Sequence, residues 1–192
     1  MAENKNDRRS LKTKKALKQA LASLLAEKEL RHITVQELSD LADVHRVIFY
    51  KHYYDIYELY DQLEKDALTD LGMLVLKFQE NPTKSFGKEF IDYIAQNPVL
   101  FKMIFAPNNT GALRQKLSTM VAGVFLLIQS EKSTVDLQDD RLQYFSAFWA
   151  SGCLAVIEKW VQTDFVQPKG FIVKTLSQLD AFLEKYIAAQ LH

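Results

Sequence analysis

Apolar residues recur every three or four positions along most of this chain and strict alternation is rare, a pattern that predicts helices rather than strands. Leu11, Leu17, Ala20, Leu21, Leu24 and Leu25 place a first helix near residues 8–28. Ile33 is followed by Thr34-Val35-Gln36-Glu37, a capping box in which Thr34 accepts from the Glu37 amide and Glu37 reaches back, so a second helix starts at Val35. Its inward stripe is Leu38, Leu41 and Ala42. Asp43-Val44 makes a turn, and His45 to Tyr50 forms a short third helix anchored inward by Phe49. A second capping box, Asp55 to Glu58, opens a long helix with apolar positions 56, 59, 63, 67, 71, 74 and 78 that runs to about residue 79. Pro82 closes it and Thr83 is placed to cap the next. Further helices are expected near 83–96, 98–105, 110–130, 138–161 and 169–189, and all four prolines fall at boundaries. The fold class is therefore all-α.

Two short helices joined by a tight turn at residues 34–54 read as a DNA-binding helix-turn-helix, because the second can protrude into a B-DNA major groove. The expected division is 1–54 for this module and 55–192 for a helical regulatory and dimerisation domain, with helix 55–79 as connector, since no repeat or flexible linker intervenes. Charge supports the split. The whole chain is neutral, yet residues 1–54 hold 11 Lys and Arg against 7 Asp and Glu, and residues 55–192 hold 13 against 17. Much of the basic excess is Lys5, Arg8, Arg9, Lys12, Lys14, Lys15 and Lys18, which could reach phosphates or simply form a solvated helix face.

Within the motif, Arg46 sits on the exposed first turn of the recognition helix, where a guanidinium can pair with guanine O6 and N7; a phosphate contact is the alternative. His45 could cap that helix or touch a base edge. Val47 or Ile48 could pack on a thymine methyl, with Ile48 alternatively in the core. Tyr50, Lys51 and His52 end the helix beside the DNA backbone as phosphate clamps. Thr34 could offer its hydroxyl or the second helix's N-terminus to a phosphate, although capping alone would explain it.

Other chemistries lack residues. His45 and His52 have no Cys, Asp or Glu pattern to complete a metal site, and there is no Gly-rich phosphate loop, nucleophile elbow or His-Glu-x-x-His motif. Neither an enzyme, a cofactor nor a metal is expected. The single Cys153 excludes an internal disulfide and a cysteine zinc cluster and reads as a small core residue. With no apolar leader at the start and no run approaching a membrane span, a cytoplasmic protein is expected.

The run from Ile33 to Leu38 and on through Val44-His45-Arg46-Val47-Ile48-Phe49-Tyr50-Lys51-His52-Tyr53, with Asp55 and Leu59 beyond, closely resembles the N-terminal signature of TetR-type transcriptional regulators over residues 10–60. The segment Phe148 to Cys153, with Glu158, Lys159 and Trp160, also looks like the penultimate helix of one large group in that family. Two stretches depart from the pattern: Asp43 stands where the turn usually has Gly, and His45-Arg46-Val47-Ile48 replaces a frequent Ser-Arg-Gly-Thr. Asp tolerates the left-handed conformation, so the turn is expected to survive while the bases read are left open.

The resemblance implies a homodimer that binds double-stranded DNA through its N-terminal helices and responds to a ligand through the rest. A repressor released from a palindromic operator by a small apolar effector is expected. The alternative is an accessory factor or activator whose core binds a protein partner. Phe78, Phe90, Tyr93, Phe101, Phe105, Met120, Phe125 and Tyr144 could line an apolar effector cavity or pack as ordinary core. Trp149, Gly152, Val156, Trp160, Leu176, Leu179 and Leu183, with Phe148 beside them, suit a four-helix dimer interface; an intramolecular core would use the same residues.

Overall fold

The computed structural model describes residues 5–80, 86–107, 111–132 and 139–190, and among them there are helices and no strands. The all-α expectation holds. Nine α-helices follow in order: α1 Lys5–Glu27, α2 Val35–Leu41, α3 Arg46–Phe49, α4 Ile56–Glu80, α5 Phe86–Gln96, α6 Pro98–Ile104, α7 Ala112–Lys132, α8 Asp140–Gln162 and α9 Lys169–Gln190. A short 3-10 turn, Leu30–His32, lies between α1 and α2. Thr83, the expected cap of α5, lies outside the described residues.

Packing divides the chain into two compact units, residues 1–70 with 98–111, and residues 71–97 with 112–192. This differs from a single cut at residue 54. The first sixteen or so residues beyond that point and the separate helix α6 pack with the helix-turn-helix, because α6 turns Phe101, Met103 and Ile104 inward and lies chiefly against α1. Pro98 suits the first position of α6, where its fixed φ is helical and no amide hydrogen is missed.

In the first unit, α1 buries Leu17, Ala20, Leu21, Leu24 and Leu25, α2 buries Leu38, and α3 buries Phe49. Two residues expected inside are not: Leu11 is 61 % exposed and Leu41 54 %. Both sit one step beyond the faces that α1 and α2 bury, so helical spacing alone extended the stripes too far. Lys18 of α1 is ion-paired with Asp66 of α4. The lysine holds that carboxyl below its usual range against the opposing effect of burial.

The turn between α2 and α3 depends on Asp43, at φ +52°. Its amide donates to the Asp40 carbonyl and the following Val44 amide to Ser39. Since Asp43 is exposed, substitution tests backbone conformation with little change in packing. Asp43→Val should lower stability by about 1–2 kcal/mol in urea titration, and Asp43→Gly should stay within about 1 kcal/mol of the parent. Equal stabilities for Val and Asp would remove the left-handed turn from the account.

The second unit joins the end of α4 to α5, α7, α8 and α9, with α7 on α8 and α5 on α9 as principal pairs. Leu113, Leu117, Val121, Val124 and Phe125 of α7 meet a core that includes Leu142, Leu154, Ile157 and Trp160 of α8. Polar ties fix the register: Arg114 to Glu158 at 2.6 Å, Lys169 to Asp92 at 2.5 Å, and the Trp149 indole donating to Asp180 at 2.6 Å. Between α8 and α9 the chain reverses through two left-handed residues, Asp164 and Phe165. Trp160 steadies that reversal, its indole donating to the Gln167 carbonyl at 2.7 Å and its ring meeting Phe165 edge-on.

Candidate nucleic-acid interface and core cavity

Local chemistry sets helix α3 and its approach. Thr34 caps α2 by accepting from the Glu37 amide at 3.2 Å. The expected return bond from Glu37 does not form, since its carboxylate instead takes Lys28 of α1 at 2.5 and 2.6 Å. That ion pair ties α2 to α1. At the next corner His45 caps α3, its Nδ1 accepting from the Val47 amide at 3.4 Å. The 55–58 box forms in a displaced version: Asp55 accepts from the Glu58 amide at 2.8 Å, and Glu58 accepts from the Tyr54 amide at 2.5 Å.

Helix α3 is only four residues long, with Tyr50 as its C-cap. So short a helix cannot hold itself together. Phe49 pins it from below, fully buried, with its ring 5.3 Å from that of Tyr50 and 5.9 Å from that of Tyr53. Consequently the outer face is presented as a unit: Thr34, His45, Arg46, Val47, Tyr50 and Lys51 are exposed, and Ile48 and His52 half-buried. Arg46 donates to the Tyr50 hydroxyl at 3.3 Å and its guanidinium lies 5.6 Å from that ring's centre. The arrangement limits the arginine's rotamers while leaving it in solvent.

Positive charge gathers at the other end of this face. Burial first, then Lys14 of α1 and Lys51, push the His52 imidazole below its ordinary value. Lys14 therefore lies near the recognition helix, which sequence spacing did not reveal. Lys18 and Lys28, by contrast, are engaged by Asp66 and Glu37. Tyr53 is buried, and burial first, then Asp66 and Glu58, raise its phenol to about 12, so it stays neutral. If His52 meets a DNA phosphate as expected from the sequence, that phosphate would favour the imidazolium and complex formation would take up a proton. Affinity should rise as pH falls from about 8 to about 6, and His52→Gln should flatten that dependence in gel shifts.

The second unit holds a cavity of about 290 Å³. Phe78, Phe86, Phe90, Phe125, Ile128 and Trp149 form its apolar wall, and Gln129, Glu131, Cys153, Ser177, Asp180 and Glu184 also face it. Three of the expected lining residues, Phe78, Phe90 and Phe125, meet there. The others do not join them. Phe101 and Phe105 are core residues of the first unit, Tyr93 and Met120 are half-buried without lining the cavity, and Tyr144 is 78 % exposed. Trp149, expected at a dimer interface, is instead part of the wall, and Leu176 and Leu183 also face the cavity.

The remaining interface candidates fall on different faces. Trp160 and Leu176 are buried, Val156 and Leu183 half-buried, and only Gly152 and Leu179 exposed. The apolar groups that α8 and α9 do expose are Tyr144 and Phe148 on one helix and Phe171, Leu179 and Phe182 on the other. Tyr144 and Phe148 lie four apart, and Phe171, Leu179 and Phe182 lie eight and three apart, so each set falls on one side of its helix. A groove lined by Ala155, Val156 and Lys159 of α8 and by Phe171, Ile172 and Thr175 of α9 lies where the helices meet.

No described helix is long and apolar enough to cross a membrane, and no group of three or more candidate ligands for a metal occurs among the described residues. Among protein families, the TetR C-terminal family described as "Transcriptional regulator C-terminal region" matches residues 80–179. No curated protein matches the chain. A solved structure, "Dihydroxyacetone kinase operon activator DhaS", superposes with a TM-score of 0.59 at 16 % identity, over 92 % of this chain and 97 % of that one. At that identity the likeness is one of fold.

Proposed function

The chain belongs to the TetR-type transcriptional regulators, DNA-binding transcription factors rather than enzymes, and from that premise we propose a cytoplasmic repressor that a small apolar effector releases from a palindromic operator. The observation that carries this reading is the cavity in the second unit, roofed in part by Phe78 of α4, the same helix whose first turns pack with the recognition helix. An occupant of that cavity bears on α4 directly. Release requires that the effector bind better to a conformation whose half-site spacing misfits DNA, since only differential affinity shifts such a balance. Residues 1–54 serve DNA and 55–192 regulation in this reading, with Thr34, His45, Arg46, Val47, Tyr50, Lys51 and His52 as the contacting set.

The test is selection of fragments bound from the source genome, followed by gel shift of the recovered sequence with compounds suggested by the neighbouring genes. Specific binding to a two-fold sequence, abolished by one such compound, is expected. No preference over random duplex at physiological salt would refute the reading. A second reading, an activator or protein-recruiting accessory factor, is favoured by the similar structure's being that of an operon activator. Reporter expression that falls when the chain is deleted would select it.

Operator symmetry calls for a homodimer, and the exposed stripes of α8 and α9 are the surface proposed for it. Gly152 is compatible with this: it is exposed on α8, and a Cβ there would meet nothing within 4 Å among the described residues, so a partner helix could approach that face closely. Phe148→Glu should sediment as one chain at micromolar concentration, where the parent sediments as two, with helicity unchanged. A parent that sediments as a single chain would refute the dimer.

A further inference from the structure

Helix α1 extends past the core it helps to build. Its first buried residue is Leu17, and from Arg8 to Ala16 none is buried. A helical stretch without a buried face gains nothing from packing, and this one gains nothing from its charges either. Arg8, Arg9, Lys12, Lys14 and Lys15 are all exposed, and the sequence has no acidic residue from position 8 to position 26. Lys12 stands three or four positions from each of Arg8, Arg9 and Lys15, spacings at which like charges on a helix repel. The stretch is therefore an arm that the fold itself does not need.

Its placement selects the partner. Lys18, one turn after Lys14 on the same side of α1, is ion-paired with Asp66 of α4, so that side of the helix turns toward the elements that flank α3. The charge of Lys14 is felt at His52, second to burial and ahead of the adjacent Lys51. The arm thus leaves the domain beside the end of the recognition helix. Resting on the reading of this chain as an operator-binding protein, we propose that residues 8–15 are a second DNA-binding element, which grips backbone phosphates flanking the groove that α3 enters. Lys14, at the root of the arm, works on the same strand as Lys51 and His52. Residues 8–16 make about 13 Å of helix, and each strand of a duplex carries one phosphate per roughly 3.4 Å of axis, so the arm can run beside several. Leu11 is the one large apolar side chain in the stretch, which leaves it no apolar face to enter a lipid surface. Contacts of this kind add affinity and carry no base information.

The test combines Lys12→Gln, Lys14→Gln and Lys15→Gln in the full chain and titrates it, beside the parent, with the selected operator and with random duplex of the same length. Affinity for both should fall at least about tenfold at physiological salt, and the slope of log affinity against log salt should drop by about two to three per half-site. The ratio of operator to random affinity should stay within about twofold, and hydroxyl-radical protection should be lost at the outer edges of the half-sites. Helicity should be unchanged and the melting temperature equal or higher, because repulsion is relieved. Arginine at the same three positions should keep both affinity and slope. Lys77→Gln, Lys116→Gln and Lys174→Gln together remove as much charge from the second unit and should leave binding within about twofold. An unchanged slope, a loss equal to that of this control, or a loss that comes with a lower melting temperature would overturn the proposal. So would unchanged duplex binding together with lost adsorption to phosphatidylserine vesicles, which would give the arm to a membrane surface. Failure of the premise looks different: a parent without operator preference fails as an operator-binding protein, while the slope difference on random duplex still decides the arm. A parent that binds no duplex refutes both.

Discussion

Phe49→Ala is expected to destabilise the first unit by about 3–5 kcal/mol and to abolish operator binding at 37 °C, through folding rather than through contact. The ring is completely buried and makes edge-on and tilted contacts with Tyr50 and Tyr53. It is the only residue of the four in α3 that is buried. Truncating it removes most of the apolar area that holds the helix to the domain, and the cavity left behind adds to the transfer cost. Urea titration followed by circular dichroism measures the loss. Tyr50→Ala, on the exposed side of the same corner, should cost no more than about 1 kcal/mol. Similar losses for the two variants would mean that α3 is held by something other than its buried anchor.

Why this anchor was legible from the sequence, while other positions were not, follows from the range of the interactions. The caps at Thr34 and Asp55, the turn at Asp43 and the inward Phe49 are set within four or five residues, so their residue types mark them. Glu37 is marked in the same way, yet its carboxylate goes to Lys28, nine positions earlier on another helix. No local rule chooses between a backbone amide and an ammonium brought up by tertiary packing. The membership of α6 in the first unit is hidden for a similar reason: a seven-residue apolar helix between two prolines has no sequence mark saying which neighbour it will cover.

Helix α8 shows the same limit in the second unit. Tyr144, Phe145, Phe148, Trp149, Val156 and Trp160 leave it apolar around much of its circumference. Periodicity finds the helix but not which stripe meets which partner. Trp149 and Trp160 turn inward because each indole N–H reaches an acceptor, Asp180 and the Gln167 carbonyl, on or beside α9. Those acceptors lie 31 and 7 residues away. With both tryptophans committed, Tyr144 and Phe148 are left outside, which reverses the sides that large aromatic size alone would assign.

Arg46→Ala should cut operator affinity by roughly 5- to 150-fold per half-site, the worth of about 1–3 kcal/mol for one bidentate base contact. The side chain is exposed, begins the recognition helix, and is steadied by the Tyr50 hydroxyl and ring. A guanidinium so placed loses fewer rotamers when it meets a base edge than one waving freely in solvent. Tyr50→Phe keeps the ring and removes only the hydroxyl, so its effect should be the smaller of the two. Base reading and phosphate binding are separable by what the loss depends on. If Arg46 reads guanine, Arg46→Ala equalises operators that differ at one base pair of each half-site and leaves the salt dependence of the residual preference nearly intact. A phosphate contact instead weakens all duplexes alike and lowers the slope of log affinity against log salt by about one per half-site, which is the behaviour expected of Lys51→Ala. Because His45 and Val47 flank Arg46 with an imidazole used as a cap and an isopropyl group with no hydrogen-bonding atom, the proposed reading makes sequence preference rest heavily on that one guanidinium. An Arg46→Ala protein that still separates operator from single-site variants would move the reading function to Val47 and the thymine methyls.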